Sequence, residues 1–593
     1  MSDKKIFEAW ADKNLCDDRH LAEACGVFEL VGADVQAEEV LTAGNSFFDR
    51  NFFGTRVLVL APHPDDEINI AGNMILTLAA AKAEIFVAYS TNGDFEQSAN
   101  VRAREAVDAL KILGVSRDKI IFLGYGDGHK LSDVPTTSPA GFSETYAADD
   151  FVDYSKKTFG RHSAYTRDNF KRDLKTLLLE LRATVIFCVD FDSHPDHRTL
   201  STLFEEVMGE ILSERRDYRP EVYKKFAYST AFTAAPDFYK QNLLATRKPK
   251  VGETDTYDFD LIDRANYVWA DRIRFPVPEN CRRTTLKDNP LAEAIFAHKS
   301  QRNQWNALRI LNSDEVFFER RTDSETFAAK VWATSGDASK VCDFKIIDTP
   351  DVEISPAQFA NNLWQPAADD TQRKIFFEWN EPAQVQKIVL YGNPLDEEPA
   401  EISLRLELAQ AVIDKARLSS DNVKTFGVTL PKHGQPLILD TEKLFVTRAE
   451  LSVVNAGENF GLSEVEFFAN AEPLRKIPPF VKLTVDDNFF YRYALPWEVE
   501  KISLGLYRFH VDAPVKISAT AGDETILSHV VDDEELILDF GDASEVVVTA
   551  EVVGTDIYDR AIIRRVGDFA QIQLKVGQWL DKLRVHKIRK IDR

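Results

Sequence analysis

The sequence predicts an α/β fold, a Rossmann-like parallel sheet, followed by two β-rich sandwich domains. Three observations carry this. Between about residues 45 and 320, short apolar runs alternate with stretches of helical periodicity, as in a parallel sheet covered on both faces. Beyond about residue 340 the alternation stops, and short strands separated by turn clusters take over. Two of the early apolar runs end abruptly in clusters of His and Asp, at the strand exits where such sheets place ligands.

The elements follow in order. RVLVLA (56–61) is a short β-rich run, and 67–81 reads as a helix. EIFVAYS (84–90) is the next strand and leads to the turn pair Asn92-Gly93. In VRAREAVDALKILG (101–114), Ala106, Ala109, Leu110 and Leu113 share one helical face, and Gly114 suits the C-terminal cap. KIIFLG and ATVIFCV supply two further buried strands. Later, KIFFEW, QKIVLYGN, LFVTRAELSVVN and SEVEFFA read as a β-sandwich. The joint EPLRKIPPF then leads to VKLTV, LGLYRFHV, VKISATA and EVVVTAEVV. The expected division is an N-terminal extension (1–44), an α/β domain (45–320), a β-sandwich (340–475) and a C-terminal β domain with a basic tail (478–593).

Composition narrows the function classes. With 44% apolar residues and 40 Phe, a 593-residue chain has material for several cores. A net charge of −24 disfavours a nucleic-acid or anionic-membrane surface. The five cysteines are scattered with no CxxC, which argues against a disulfide scaffold or a thiolate metal site. The start lacks the apolar core of a signal peptide, and the longest apolar stretch, 73–90, is broken by Lys82 and Glu84. A cytoplasmic protein without a transmembrane segment is expected.

The first cluster, HPDDE, leaves the strand RVLVLA, and the second, DFDSHPDHR (190–198), leaves ATVIFCV. Unpaired carboxylates in such a crevice are costly unless a cation or hydrogen bonds compensate them. His63, Asp66 and His197 would form a two-histidine, one-carboxylate set of the catalytic zinc type, leaving Asp65 and His194 for proton transfer. In that chemistry a metal-activated water gives its proton to one of these two groups and attacks an electrophilic centre. The simpler reading of HPDDE as a capped helix start accounts for one or two acids, but for neither His63 nor the second cluster.

APHPDDE, VRAREAVDALKILG, FLGYGDG and HPDHR, in this order, resemble the PIG-L/LmbE-type family of zinc-dependent N-acetylglucosaminyl deacetylases, and HKSQ (298–301) is similar to its closing segment. The resemblance implies metal binding by His63, Asp66 and His197, with Asp65 as general base. It implies His194 as oxyanion stabiliser or proton donor, Asp196 as the acid orienting an imidazole, and Arg102 as a substrate contact. Arg102 and Glu105 also suit a solvated helix pair, and His129 a surface loop. The implied cofactor is Zn2+, although the same ligands accept Fe2+ or Co2+. YGNP, Trp364 and GLSEVEFF resemble galactose-binding-like (discoidin-type) modules, while Trp364 and Trp379 read equally as core aromatics.

The expected function is removal of acetyl groups from an N-acetylated sugar or glycan precursor. Two other readings stand beside it: a glycan-binding scaffold with a vestigial metal site, and an amidase on a non-sugar conjugate such as a thiol cofactor precursor or an antibiotic. The β domains suit a larger substrate, a homo-oligomer interface or a glycan-synthesis partner.

Overall fold

The computed structural model describes most of residues 51–227, 273–276, 289–301, 314–346, 363–409 and 422–470, and strands only within 27–33 and 483–566. His129 and the basic C-terminal stretch lie outside the described residues. In chain order the elements are β1 (Val27–Ala33), β2 (Arg56–Ala61), α1 (Asp66–Ala80), β3 (Glu84–Thr91), α2 (Ala99–Ile112), β4 (Ile120–Tyr125), α3 (Tyr154–Phe159) and α4 (Arg167–Leu181). They continue with β5 (Val185–Val189), α5 (Pro195–Glu214), β6 (Glu221–Lys225), β7 (Ile273–Pro276), α6 (Pro290–Ala297) and β8 (Asp314–Arg320).

Strands β2 to β8 form one sheet in the order β4-β3-β2-β5-β6-β8-β7. The strands from β4 to β6 pair in parallel, and β5 is buried at every position, the signature of a sheet covered on both faces. The chain adds β3 and β4 on one side of β2, then returns to place β5 and β6 on the other. The switch point therefore falls between β2 and β5, the two strands that end in HPDDE and HPDH.

The sheet departs from the expected parallel one at its edge. β8 runs antiparallel to β6, and β7 antiparallel to β8. The physical reason lies in α6: it ends at His298, beside Glu67 at the carboxyl end of β2. The chain re-enters the sheet from that end and so runs against its neighbours. Glu315 of β8 also accounts for a kink in α1 at Ala71, since its carboxylate accepts the Asn73 and Met74 N–H groups (3.0 and 3.1 Å) of the turn beyond it.

The second sheet is antiparallel throughout. It comprises β9 (Lys330–Ala333), β10 (Lys374–Gly392), β11 (Ala400–Leu408), β12 (Val423–Leu430), β13 (Leu437–Asn455) and β14 (Leu462–Phe468). The order is β12-β11-β13-β10-β14, with β9 also on β10. KIFFEW and QKIVLYGN thus belong to one 19-residue strand. Register shifts between β10 and β13 mark bulges, which bend a sheet, and its buried side chains form one core. Trp364 and Trp379 are in that core, their indole N–H groups donating to the Ser335 and Glu325 carbonyls at 2.8 Å. They are packing residues.

The remaining strands are β15 (Leu483–Thr484), β16 (Trp497–Ser503), β17 (Leu506–Val511), β18 (Val515–Ala521), β19 (Glu524–Val531), β20 (Glu535–Asp539), β21 (Glu545–Val552) and β22 (Tyr558–Val566). They build a three-stranded sheet, β16-β17-β20, and a six-stranded one, β15-β1-β22-β21-β18-β19. The expected N-terminal extension thus contributes β1 to the sheet of the expected C-terminal domain. Among the described residues, no helix is long and apolar enough to cross a membrane.

The segment after β8 ties the first sheet to the second. Arg320 donates to the Phe344 carbonyl (2.8 Å), Thr326 Oγ1 to the Val465 carbonyl (2.7 Å), and Glu464 accepts from the Asp343 and Phe344 N–H groups (3.1 Å each). Gly209 in α5 lets this segment approach, because a Cβ there would lie 2.1 Å from the Asp343 carbonyl oxygen. Gly209→Ala, which on propensity alone would gain about 1 kcal/mol, is expected to lose about 1–3 kcal/mol through overpacking, read as a lower urea midpoint.

Candidate active site

HPDDE sits where β2 hands over to α1. Asp65 takes the N-cap position but makes no side-chain cap bond, and its φ of 139° is strained for any residue but glycine. Its carboxylate points instead to Arg102 of α2, with Oδ1 2.8 Å from Nη2. The helix-cap reading therefore fails for Asp65. Asp66, the first residue of α1, is fully buried.

The second cluster opens α5. Pro195 occupies the first turn, where its missing N–H costs nothing, and His194 is the N-cap, accepting the Asp196 N–H at Nδ1 (3.2 Å). That bond puts the proton of the neutral ring on Nε2. His197 is buried one helical turn in from the cap.

The two clusters meet. His63 Nδ1 lies 2.9 Å from Asp66 Oδ2, and His197 Nε2 lies 3.1 Å from the same oxygen. On its other side His63 Nε2 is 3.0 Å from Asp196 Oδ2 and 3.2 Å from Asp127 Oδ1. Asp196 thus braces the His63 imidazole, and its Oδ2 also accepts the Gly128 N–H (2.8 Å). His63, Asp65, Asp66, Asp196 and His197 are all buried, whereas the His194 side chain is 32% exposed and faces the open side.

The electrostatics follow from this crowding. Burial works against charge on His63, but the Asp127, Asp196 and Asp66 carboxylates outweigh it and hold the imidazole well above its usual range. Burial likewise opposes charge on Asp66, and His197 and His63 overcome it, holding the carboxyl well below its usual range. His194 is pushed down to about 4 by burial and by His197 and His63, so its ring is neutral at pH 7. Burial opposes charge on His298, and Glu67 overcomes it and raises the group.

The donor set fits a divalent metal. Ligand atoms about 2.0–2.2 Å from one tetrahedral ion lie about 3.3–3.6 Å apart, and the two contacts of Asp66 Oδ2, with His63 Nδ1 and His197 Nε2, are a few tenths of an ångström shorter than that. Ligand-capable atoms also cluster in two overlapping groups, His63 with His194 and His197, and His63 with Asp127 and Asp196.

Several residues escaped the sequence reading. Asp127 follows β4 and reaches His63; Asp94 follows β3 and accepts the Asp127 N–H (3.0 Å), with Tyr146 donating to its other oxygen. Both are acids at strand exits, the signal that singled out the two His clusters. Glu67 and His298 form a buried pair with Oε1 and Nε2 2.8 Å apart. Arg102 is buried, and its guanidinium serves Asp65 Oδ1, the Pro64 carbonyl (2.7 and 3.2 Å) and the Gly93 carbonyl (3.3 Å). Arg102 and Glu105 bond to other partners, not to each other: Glu105 receives the Ser300 N–H and hydroxyl.

The family described as PIG-L: GlcNAc-PI de-N-acetylase matches residues 58–208, a span from β2 into α5 that holds both clusters. No curated protein matches the chain significantly. Among solved structures the chain is similar to N,N'-diacetylchitobiose deacetylase from Pyrococcus horikoshii, at 17% identity and a TM-score of 0.23, over 48% of this chain and 90% of that one. It is similar to the conserved protein TT1542 from Thermus thermophilus, at 18% identity and a TM-score of 0.24, over 44% and 93%. It is also similar to CpGH89CBM32-5 from Clostridium perfringens, at 14% identity and a TM-score of 0.18, over 24% and 96%.

Because Arg102 neutralises a buried carboxylate, Arg102→Met is expected to cost about 3–5 kcal/mol of stability, measured by chemical denaturation without substrate. A residue that only touched substrate would leave stability unchanged.

Proposed function

We propose that residues 45–320 form a metal-dependent N-deacetylase acting on an N-acetylated sugar or glycan precursor. The observation that carries this is the meeting of His63, Asp66 and His197 around one carboxylate oxygen, with Asp65 beside them, inside the span that matches the de-N-acetylase family. In this reading His63, Asp66 and His197 hold the metal, with zinc as first choice and iron or cobalt compatible with the same donors. When bound, the metal supplies Lewis-acid polarisation of the amide carbonyl and acidifies water beside it.

The chain's own residues do the rest. Asp65, fixed through Oδ1 by Arg102, takes a proton from water as the water oxygen bonds to the acetamide carbon. His194 presents Nε2–H from the exposed side to the developing oxyanion, and the proton that Asp65 took from water passes to the amine nitrogen as the C–N bond breaks. Acetate and a free amine result. Asp196 keeps His63 and His194 in register, and Arg102 reaches substrate only by sharing donors it gives to Asp65.

The strain at Asp65 favours this reading over a binding scaffold, since holding a metal needs no residue at a φ of 139°. The β-rich regions 340–475 and 478–593 then act as separate domains that enlarge the substrate surface or form an oligomer or partner interface.

Acetate release from a panel of free, nucleotide-linked and lipid-linked N-acetyl sugars tests the proposal. The zinc-loaded wild type is expected to release acetate, and Asp65→Asn to lose about 10²–10⁴-fold in rate with zinc retained. Zinc-loaded wild type that releases no acetate from any of them would contradict it. His197→Ala is expected to bind less than one equivalent of zinc by elemental analysis.

A further inference from the structure

The strained backbone of Asp65 has a second support, which runs through Glu67 to His298 outside the family-matched span. The Asp65 N–H donates to Glu67 Oε2 at 2.8 Å, an acceptor two residues along where a capping box uses one three along. Glu67 is fully buried, so its carboxylate needs a partner, and Oε1 meets His298 Nε2 at 2.8 Å from 231 residues away. His298 is in turn placed by the residues that follow it. Ser300 donates its N–H to Glu105 Oε1 (2.8 Å) and its hydroxyl to Glu105 Oε2 (2.6 Å).

Glu105 lies one turn beyond Arg102 on α2, and Arg102 returns to Asp65 and to the Pro64 carbonyl. The contacts close a ring: Asp65, Glu67, His298, Ser300, Glu105 and, through α2, Arg102. Gly72 of α1 leaves room for Leu291 of α6, whose Cδ1 would lie 2.6 Å from a Cβ there. A positive φ at a non-glycine residue persists only where its surroundings over-determine it. Here the carboxylate is fixed from α2 and the N–H from α6 by way of Glu67.

We propose that Glu67 and His298 are positioning residues, a buried pair locked by Ser300 and Glu105 that holds the Asp65 backbone at positive φ and so aims its carboxylate into the crevice. The kinetic part of this inference rests on the deacetylase reading; the conformational part does not.

The test uses the full-length zinc-loaded chain and the variants Glu67→Ala, Glu67→Gln, His298→Ala and Ser300→Ala, with crystal structures alongside kinetics. In Glu67→Ala the Asp65 φ is expected to turn negative, with kcat down about 100-fold, as a misplacement near 1 Å costs, while KM and zinc stoichiometry stay unchanged. Glu67→Gln, which keeps the acceptor for Asp65 N–H, should restore most of the rate, and His298→Ala should fall between the two. Should Glu67→Ala fail to fold, Ser300→Ala decides with a smaller fall in kcat at unchanged KM. A positive φ in Glu67→Ala, an unchanged kcat, or a loss confined to KM would overturn the proposal. If the wild type releases no acetate, the deacetylase reading fails, and the Asp65 φ alone decides whether the pair positions it.

Discussion

Buried negative charge at the carboxyl end of the first sheet is the constraint on which the rest of the site depends. Asp65, Asp66, Glu67, Asp94, Asp127 and Asp196 all lie there with little exposure. None is tolerable without compensation. Arg102 answers Asp65, His298 answers Glu67, backbone N–H groups answer Asp94 and Asp196, and His63 stands among three carboxylates. What is left converges on Asp66, whose oxygen meets two imidazoles. The topology forces this concentration, because β2 and β5 are neighbours that end on the same side at the switch between the halves of the sheet.

Much of this was legible in the sequence, for reasons that can be stated. Strands such as RVLVLA and VIFCV read clearly because a parallel strand buried on both faces is apolar throughout. The His and Asp clusters read clearly because their chemistry contrasts with those strands. The antiparallel β7 and β8 did not, since direction depends on the side from which the chain returns, and no local residue encodes that. Glu67 had no task because its partner, His298, is 231 residues distant. Arg102 was placed at the site, but a guanidinium can serve substrate or a neighbouring carboxylate, and only geometry separates the two.

The β-rich regions show the same limit. Short β-rich runs between turn clusters marked β10, β13 and β14, but bulges in the 19-residue strands join segments that read as several short strands into one bent sheet. Trp364 and Trp379 carry aromatic surface that in sequence suits either sugar stacking or packing, and their buried indoles choose packing. The pairing of β1 with β22 joins the two ends of the chain, a long-range contact that neither segment announces alone.

The measurement that bears most directly on the central claim is anomalous diffraction at the zinc edge from crystals of the zinc-loaded protein. The account predicts one dominant peak bonded to His63, Asp66 and His197, at ligand distances of about 2.0–2.2 Å. A peak held instead by Asp127 and Asp196, or no peak in the crevice while zinc binds elsewhere, would contradict it.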